Sequence, residues 1–278
     1  MNSENQPGET ILKILTAAGI GSRRQAADII KAGRVKVNDV VIEGFRHPVN
    51  PETDWVTVDG ERVVLKPEAR VYLILNKPKG IISTVSDDRA RQSVLDIIPA
   101  KYHRLRLYPA GRLDRESTGL IILTNDGDLT YRLTHPKFEH EKEYRIRIEG
   151  ALTPAEIARL ETGIELEEGK TGPAKVREVD EPPFNYSLTL HEGRKRQVRR
   201  MLAAIGYTVL ELKRVRLGGL DLGNLKDGEC RELTMKEVRL LTTPPVKAKL
   251  APVKETSLQR RQKWVPNRKT PPPPSSRH

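Results

Sequence analysis

The chain has 278 residues, with 49 Lys and Arg against 37 Asp and Glu for a formal net charge of +12, and a single cysteine. One cysteine excludes an internal disulfide and with it a small stapled secreted scaffold. The longest apolar runs, at 71–75 and 120–123, fall far short of the roughly 20 residues a membrane-spanning helix needs. Met1-Asn2-Ser3-Glu4-Asn5-Gln6 shows neither the basic nor the apolar region of a secretory signal, so a soluble cytoplasmic protein with a polyanionic partner and no membrane association is expected.

In chain order, the first predicted element is a short helix over residues 10–18, with Ile11, Ile14, Leu15 and Ala18 on one face. Ser22-Arg23-Arg24-Gln25 reads as a capping box for a second helix; Ala26, Ile29 and Ile30 follow at helical spacing and Gly33 ends it. Asn38-Asp39 between Val35-Lys36-Val37 and Val40-Val41-Ile42 predicts a tight hairpin. Asp59-Gly60 between Trp55-Val56-Thr57-Val58 and Glu61-Arg62-Val63-Val64 predicts another. Together these form a small domain at 8–65, followed by a polar, proline-containing linker at 65–70.

Further along, strands are predicted at 71–76, 81–84, 119–124, 143–149, 173–178, 186–191 and 208–217, and helices at 127–134, 154–162 and 195–205. Strands outnumber helices and do not alternate with them as a parallel sheet requires. Residues 71–242 therefore read as an α+β domain around a mixed, mainly antiparallel sheet. Residues 243–278 are proline-rich, nearly free of apolar periodicity, and hold nine Lys and Arg against one Glu, which predicts a disordered basic tail. Such a tail either solubilises the protein or grips RNA non-specifically.

The tail accounts for eight of the twelve net charges. The remainder is uneven: residues 13–36 carry a net +5 (six cations against Asp28) and residues 192–216 a net +6 (eight cations against Glu192 and Glu211), whereas 149–181 is acidic. Two basic segments on a nearly neutral body suit a phosphate backbone; the bland alternative is two solvated helices.

No P-loop, complete dinucleotide fingerprint or metal-spaced Cys pair occurs, and the six histidines are scattered, so no metal and no cofactor is expected. Cys230 has no nearby His and reads as structural. Chemistry then falls to ordinary side chains. The densest candidate is Asp114, between Arg112 and Arg115 in a Gly-flanked loop just before the apolar run at 120–123. Loops on a rigid scaffold are where reactive groups are presented. From the bare pattern, a turn-capping or Arg-paired structural aspartate is the commoner outcome.

The motifs carry more. Ala18-Gly19-Ile20-Gly21-Ser22-Arg23-Arg24, Ile30-Lys31-Ala32-Gly33-Arg34-Val35-Lys36-Val37-Asn38 and Val58-Asp59-Gly60 resemble the small RNA-binding domain named after ribosomal small-subunit protein S-four. That resemblance implies Arg23, Arg24, Lys31, Arg34 and Lys36 as phosphate contacts. The run Gly111-Arg112-Leu113-Asp114 with Ser117-Thr118-Gly119-Leu120 resembles the catalytic motif of the ribosomal-RNA pseudouridine synthases. Asn76-Lys77-Pro78, Thr124-Asn125-Asp126-Gly127, Leu133-Thr134-His135-Pro136, Glu141-Lys142-Glu143-Tyr144 and Glu192-Gly193-Arg194-Lys195-Arg196-Gln197-Val198-Arg199-Arg200-Met201 appear in that family's order.

The resemblance runs from about residue 8 to 241 and points to the branch that joins an S-four-type domain to the catalytic domain. It implies isomerisation of a specific uridine in ribosomal RNA, more in keeping with the large-subunit (23S) molecule, without a cofactor. Asp114 becomes the essential carboxylate, attacking the sugar carbon or abstracting a sugar proton. Arg199 becomes the arginine whose salt bridge favours the charged form of Asp114. Tyr144 becomes the ring that stacks on a flipped-out uracil; its bland reading is a strand residue packed on the core. In the helix around 194–201, Val198, Met201 and Leu202 should pack inward, leaving Arg194, Lys195, Arg196 and Arg200 freer for phosphates. Arg112 and Arg115 either steer RNA or orient the loop.

The partners expected are ribosomal RNA or pre-ribosomal particles, and a monomer is expected. Three competitors stand beside this reading: a non-catalytic RNA-binding ribosome-assembly factor, a pseudouridine synthase acting on small-subunit rRNA, and a carboxylate-dependent hydrolase. The last lacks a second well-placed carboxylate motif.

Overall fold

The capping box at Ser22 forms as its sequence dictates: Ser22 Oγ accepts from the Gln25 backbone N–H while the Gln25 side chain accepts from Ser22 N–H. In the computed structural model, which describes residues 9–64, 69–85 and 90–243, this helix is α2 (Arg23–Lys31), preceded by β1 (Glu9–Thr10) and α1 (Ile11–Ala17). The strands β2 (Val35–Val37), β3 (Val40–Val41), β4 (Pro48–Val49), β5 (Val56–Val58) and β6 (Glu61–Val63) follow. Both predicted hairpins form, in a four-stranded sheet of order β3-β2-β5-β6. Asn38, Asp39 and Asp59 take the positive φ that such turns demand. Ile11, Leu15, Ala26, Ile30, Val35, Val49 and Val56 make the fully buried centre of this small domain. Leu65 to Glu68, most of the expected linker, and everything from Pro244 onward, including the expected disordered tail, lie outside the described residues.

The larger sheet has nine strands. Its path runs β11 (Lys175–Glu181), β12 (Phe184–Leu190), β10 (Lys142–Ile148), β13 (Val209–Leu217), β9 (Thr118–Thr124), β7 (Tyr72–Lys77) and β15 (Cys230–Glu232). The strand β8 (Tyr108–Pro109) pairs with β9, and β14 (Leu220–Asp221) with β13. Every pairing is antiparallel except β9 with β13, so the sheet is mixed and mainly antiparallel, as its sequence predicts. The apolar runs at 71–75 and 120–123 are explained by burial on both faces. Ile74, Leu120 and Ile122 enter one core; Leu73, Leu75, Ile121 and Leu123 enter another. The helices α3 (Gly127–Thr134) and α6 (Met235–Leu241) cover the first of these cores, and α4 (Pro154–Thr162) and α5 (Gln197–Ala203) cover the outer strands. Among the described residues no helix is long and apolar enough to cross a membrane.

Three expectations need correction. Residues 81–84 are not a strand of the sheet: they make one bridge, Ile82 to Ser93, and Ser83 Oγ instead donates to Leu113 O at 3.0 Å. The helix expected at 195–205 begins only at Gln197, because Arg196 takes a left-handed conformation (φ 52°). The strands β1, β4, β8, β14 and β15 and the helix α6 were not anticipated; most are two or three residues long and so carry no readable period. The small domain touches the large one through Lys13 to Asp128 at 3.1 Å and Arg106 to the Thr16 carbonyl at 2.9 Å.

Candidate active site

The loop bearing Asp114 is fixed from two directions. Downstream it runs straight into β9, whose Gly119 meets Arg214 across the parallel seam. A Cβ on Gly119 would lie 2.2 Å from the Arg214 carbonyl oxygen, and φ there is +102°, so only glycine lets the two strands approach. Upstream the turn after β7 is laced to it. Gly80 N–H donates to Arg115 O at 2.9 Å, and the fully buried Lys77 ammonium reaches Ile81 O (2.7 Å), Pro78 O (2.9 Å) and Arg115 O (3.4 Å). Burial pushes the Lys77 pKa down to about 8, against the opposing charges of Glu116 and Asp114. Lys77 thus ties the Asp114 loop to the turn after β7. Nothing in the sequence marks Lys77 for this role, since a buried lysine looks there like any other.

Asp114 is half-buried and opens onto a cleft of about 840 Å³. The same cleft is lined by Arg112, Ser117, Tyr144, Lys142, Arg194, Lys195, Arg196 and Arg214, with His135 and His140 on another wall. Asp114 and Tyr144, placed together by resemblance, therefore do share one site. Tyr144 belongs to β10 and is half-buried; its register partner on β13 is Arg214, and Lys142 lies two residues before it on the same face. Among the described residues no hydrogen bond or ion pair occupies the Asp114 carboxylate.

Arg199 departs from expectation. Its guanidinium donates to Val209 O (2.8 Å) and Glu116 O (3.3 Å) rather than forming a salt bridge with Asp114. It feels Asp114 only through space: burial and the neighbouring Arg196 charge push its pKa down, against the pull of Asp114 and Glu116. Its Nε is buried without a partner. Arg199 thus stands behind the Asp114 loop, bound to that loop's backbone.

The expected phosphate contacts divide. Arg23, Arg24, Lys31 and Lys36 are exposed on α2 and β2, with Lys31 Nζ 5.5 Å from the centre of the Phe45 ring. Arg34 is exposed but spent on a two-pronged pair with Asp59. In the larger domain Arg112, Lys195 and Arg196 are exposed at the cleft. Arg194 and Arg200, expected to be free, are not. Arg194 donates to Gly169 O and Lys170 O (2.6 Å each) and to Glu192 (3.1 Å), and Arg200 grips Glu168. The acidic stretch that looked separate in sequence folds back onto the basic helix, and Arg200 holds the Glu168 carboxyl down at about 2.

Two further cations, to which the sequence motifs assign no role, line the cleft. Arg214 is only 3% exposed; its Nε donates to Leu120 O at 2.8 Å and its Nη2 has no partner. Lys142 donates only to His140 O (3.1 Å), and burial, with help from Arg214, pushes its pKa to about 8. On the opposite face of the same strands the charges are neutralised: Arg216 binds Glu141 (3.0 Å) and Glu143 (2.9 Å), and Arg145 binds Glu181 (2.7 Å). A signal for Arg214 existed, a charge two residues after Leu212 on the inward phase of a strand. The Cys230 thiol is half-buried and its pKa is pushed up by burial, the opposite of an activated nucleophile.

A mixed sheet that presents an unpaired aspartate carboxylate, a tyrosine and unpaired cations in a single cleft defines a class, and the family model described as RNA pseudouridylate synthase matches residues 71–204. The S4 domain model matches residues 10–51. Ribosomal large subunit pseudouridine synthase B of Bacillus subtilis (strain 168) is 44% identical over 238 residues, 84% of this chain and 95% of that protein. An uncharacterized RNA pseudouridine synthase of Mycobacterium leprae (strain TN) is 43% identical, over 82% of this chain and 90% of its own. A solved structure described as a crystal structure of pseudouridylate synthase superposes with a TM-score of 0.60 at 33% identity, covering 84% of this chain and 100% of the other. The chain belongs to the RNA pseudouridine synthases, with an N-terminal S4 domain, and is an isomerase of uridine in RNA.

Proposed function

We propose that this enzyme converts a specific uridine of ribosomal RNA, in the large-subunit (23S) molecule, to pseudouridine, acting in the cytoplasm as a monomer on free rRNA or on assembling particles. The observation that carries the reading is the Asp114 carboxylate, half-buried and without a polar partner among the described residues, in a cleft shared with Tyr144 and bordered by unpaired cations. The printed name of the Bacillus relative supports the large subunit as target. The S4 unit at 8–65 supplies a first phosphate grip through Arg23, Arg24, Lys31 and Lys36, and the domain at 71–242 carries out the chemistry.

A uridine inside a helix cannot be reached, so the target base is flipped into the cleft, where the Tyr144 ring offers a stacking face. Asp114 then attacks the sugar carbon or removes a sugar proton, and the N1–C1′ bond breaks. The base turns and the C5–C1′ bond forms as the Asp114–C1′ bond breaks or the sugar proton is returned, and the proton leaving C5 is balanced by one gained at N1. Nothing is oxidised and no group is imported. While the base is detached it carries the electrons of the broken bond; Arg214 and Lys142, on the face of Tyr144, are the cations placed to stabilise that charge. Lys195, Arg196 and Arg112 at the mouth meet the phosphates.

The decisive variant is Asp114→Asn, assayed on unmodified large- and small-subunit rRNA transcripts. Pseudouridine formation should vanish while thermal stability and RNA affinity stay near wild type. Retained turnover would remove Asp114 from the mechanism; modification of the small-subunit transcript alone would correct the target; binding without any product from the wild type would favour an assembly factor.

A further inference from the structure

Beside the catalytic cleft, α3 and the one-turn 3-10 helix Pro136–Phe138 bring four rings together. Tyr131 and His135 have centroids 4.9 Å apart, Phe138 meets Tyr131 edge-on at 5.8 Å, and His140 stacks on Phe138 at 6.1 Å. Lys137 Nζ lies over two of these rings, 5.0 Å from the centre of Tyr131 and 4.8 Å from that of Phe138. Aromatic residues make up only 4% of the chain, yet Tyr131 is 48% exposed and Phe138 36%, and neither joins a hydrophobic core. The cluster is continuous with the cleft, since His135, Pro136, Glu139 and His140 line it. Burial and the charges of Lys142 and Arg132 push the His140 pKa down, so its ring is a flat neutral surface at that wall.

An aromatic face held open to water beside a cation has an obvious complement: another flat ring on an anionic chain. An apolar protein partner would gain nothing from Lys137, and a phosphate alone would gain nothing from Tyr131 and Phe138. We propose that Tyr131 and Phe138 form a stacking subsite for an unpaired base of the substrate RNA adjacent to the flipped uridine, with Lys137 on the phosphate between the two. This rests on the reading of the neighbouring cleft as the site of uridine isomerisation. It assigns the enzyme a single-stranded or splayed-out substrate segment at least two nucleotides long.

The test uses the full chain and rRNA transcripts of both subunits. Transcripts substituted with 5-iodouridine and irradiated should cross-link to the peptide carrying Tyr131 or Phe138 in the wild-type protein, mapped by mass spectrometry. Tyr131→Leu and Phe138→Leu keep apolar bulk and remove the π-face. At physiological salt each should raise Kd and KM about five- to a hundredfold, the range for one lost base stack, with kcat and thermal stability unchanged. Wild-type Kd and KM in the double variant, or cross-links that avoid both peptides, would overturn the proposal. So would a concentration-dependent dimer that the leucines abolish, which would assign the patch to a second copy of the chain. If the wild type makes no pseudouridine on either transcript, the reading of the cleft fails, while the cross-link and affinity measurements still decide the stacking subsite.

Discussion

Gly119→Ala adds one methyl group where the sheet has no room for it. The new Cβ would sit 2.2 Å from the Arg214 oxygen and 2.6 Å from its nitrogen. Both are backbone atoms, so no rotamer change relieves the contact. Restoring an ordinary separation of about 3.5 Å parts β9 from β13 by about 1 Å. Overpacking of this kind costs about 1–3 kcal/mol, and the positive φ adds about 1–2 kcal/mol for any residue with a Cβ. Together these predict a loss of about 2–5 kcal/mol and a fall in Tm of about 5–15 °C for a chain of this size. Asp114 lies five residues upstream on the same stretch of backbone, so a displacement of about 1 Å should also lower single-turnover pseudouridylation about a hundredfold. Gly60→Ala is the control. Its φ is +85° and nothing lies within 4 Å of the added methyl, so it should cost the strain alone, about 1–2 kcal/mol, and leave turnover untouched. Calorimetry and single-turnover assays on the two variants settle the matter. Gly119→Ala indistinguishable from Gly60→Ala in both would refute the close-approach argument.

The pKa of Lys142, lowered to about 8, predicts that substrate affinity weakens as pH rises from 7 to 9, with KM rising up to about tenfold, and that Lys142→Arg flattens this dependence. Unfolding does not explain such a rise: with folded pKa values of about 8 against 10.5 unfolded, Lys142 and Lys77 hold fewer protons in the native state over that interval, so their contribution to stability grows between pH 8 and 10.5. Replacing both Lys195 and Arg196 by Ala should lower RNA affinity and reduce the slope of log K against log salt by about two. Arg194→Ala should leave that slope alone and lower Tm instead, because it removes two donors from the loop carbonyls of Gly169 and Lys170. Lys77→Met strips a donor from three carbonyls around the Asp114 loop; turnover should drop while the Kd for rRNA stays, and an unchanged kcat would deny Lys77 its positioning role.

Elements with a strong local signal were legible in the sequence. The helices at 127–134 and 154–162 are legible to the residue, because Asp126 and Thr153 cap them with their own side chains. The hairpins were legible through Asn38-Asp39 and Asp59-Gly60. What failed has a physical reason. Ile81 and Ile82 look like strand, but only Ile82 finds a bridge partner, Ser93, which no local pattern announces. Cys230–Glu232 becomes a strand only because β7 offers it a free edge. At the site, the motifs placed Asp114 and Tyr144 in one cleft, but the partner of Arg199 depended on side-chain geometry. Half-buried, its guanidinium spends both terminal nitrogens on carbonyls of nearby backbone before it reaches a carboxylate.

Charge shows the same gap between sequence and surface. Residues 192–216 carry eight cations, which as a sequence feature predict one basic face. In the fold four of them are paired: Arg194 with Glu192, Arg200 with Glu168, Lys213 with Asp227, and Arg216 with Glu141 and Glu143. Among the described residues Lys195, Arg196, Arg199 and Arg214 have no carboxylate partner. Three of these line the cleft and the fourth holds the loop that carries Asp114. The sorting follows from a β-bulge and from one left-handed residue. On β13 the register slips at Val215, so Tyr144 faces Arg214 but Glu143 faces Arg216; this bulge turns two arginines that plain alternation would leave on one face to opposite faces, Arg214 with Tyr144 and Lys142 on the cleft side and Arg216 with the glutamates behind. At Arg196 the left-handed turn before α5 leaves Lys195 and Arg196 exposed at the rim while Arg200, one turn along the helix, meets Glu168. Positive potential is thereby concentrated at the cleft that Asp114 and Tyr144 share, and withdrawn from the other face of the sheet, where it would only repel itself.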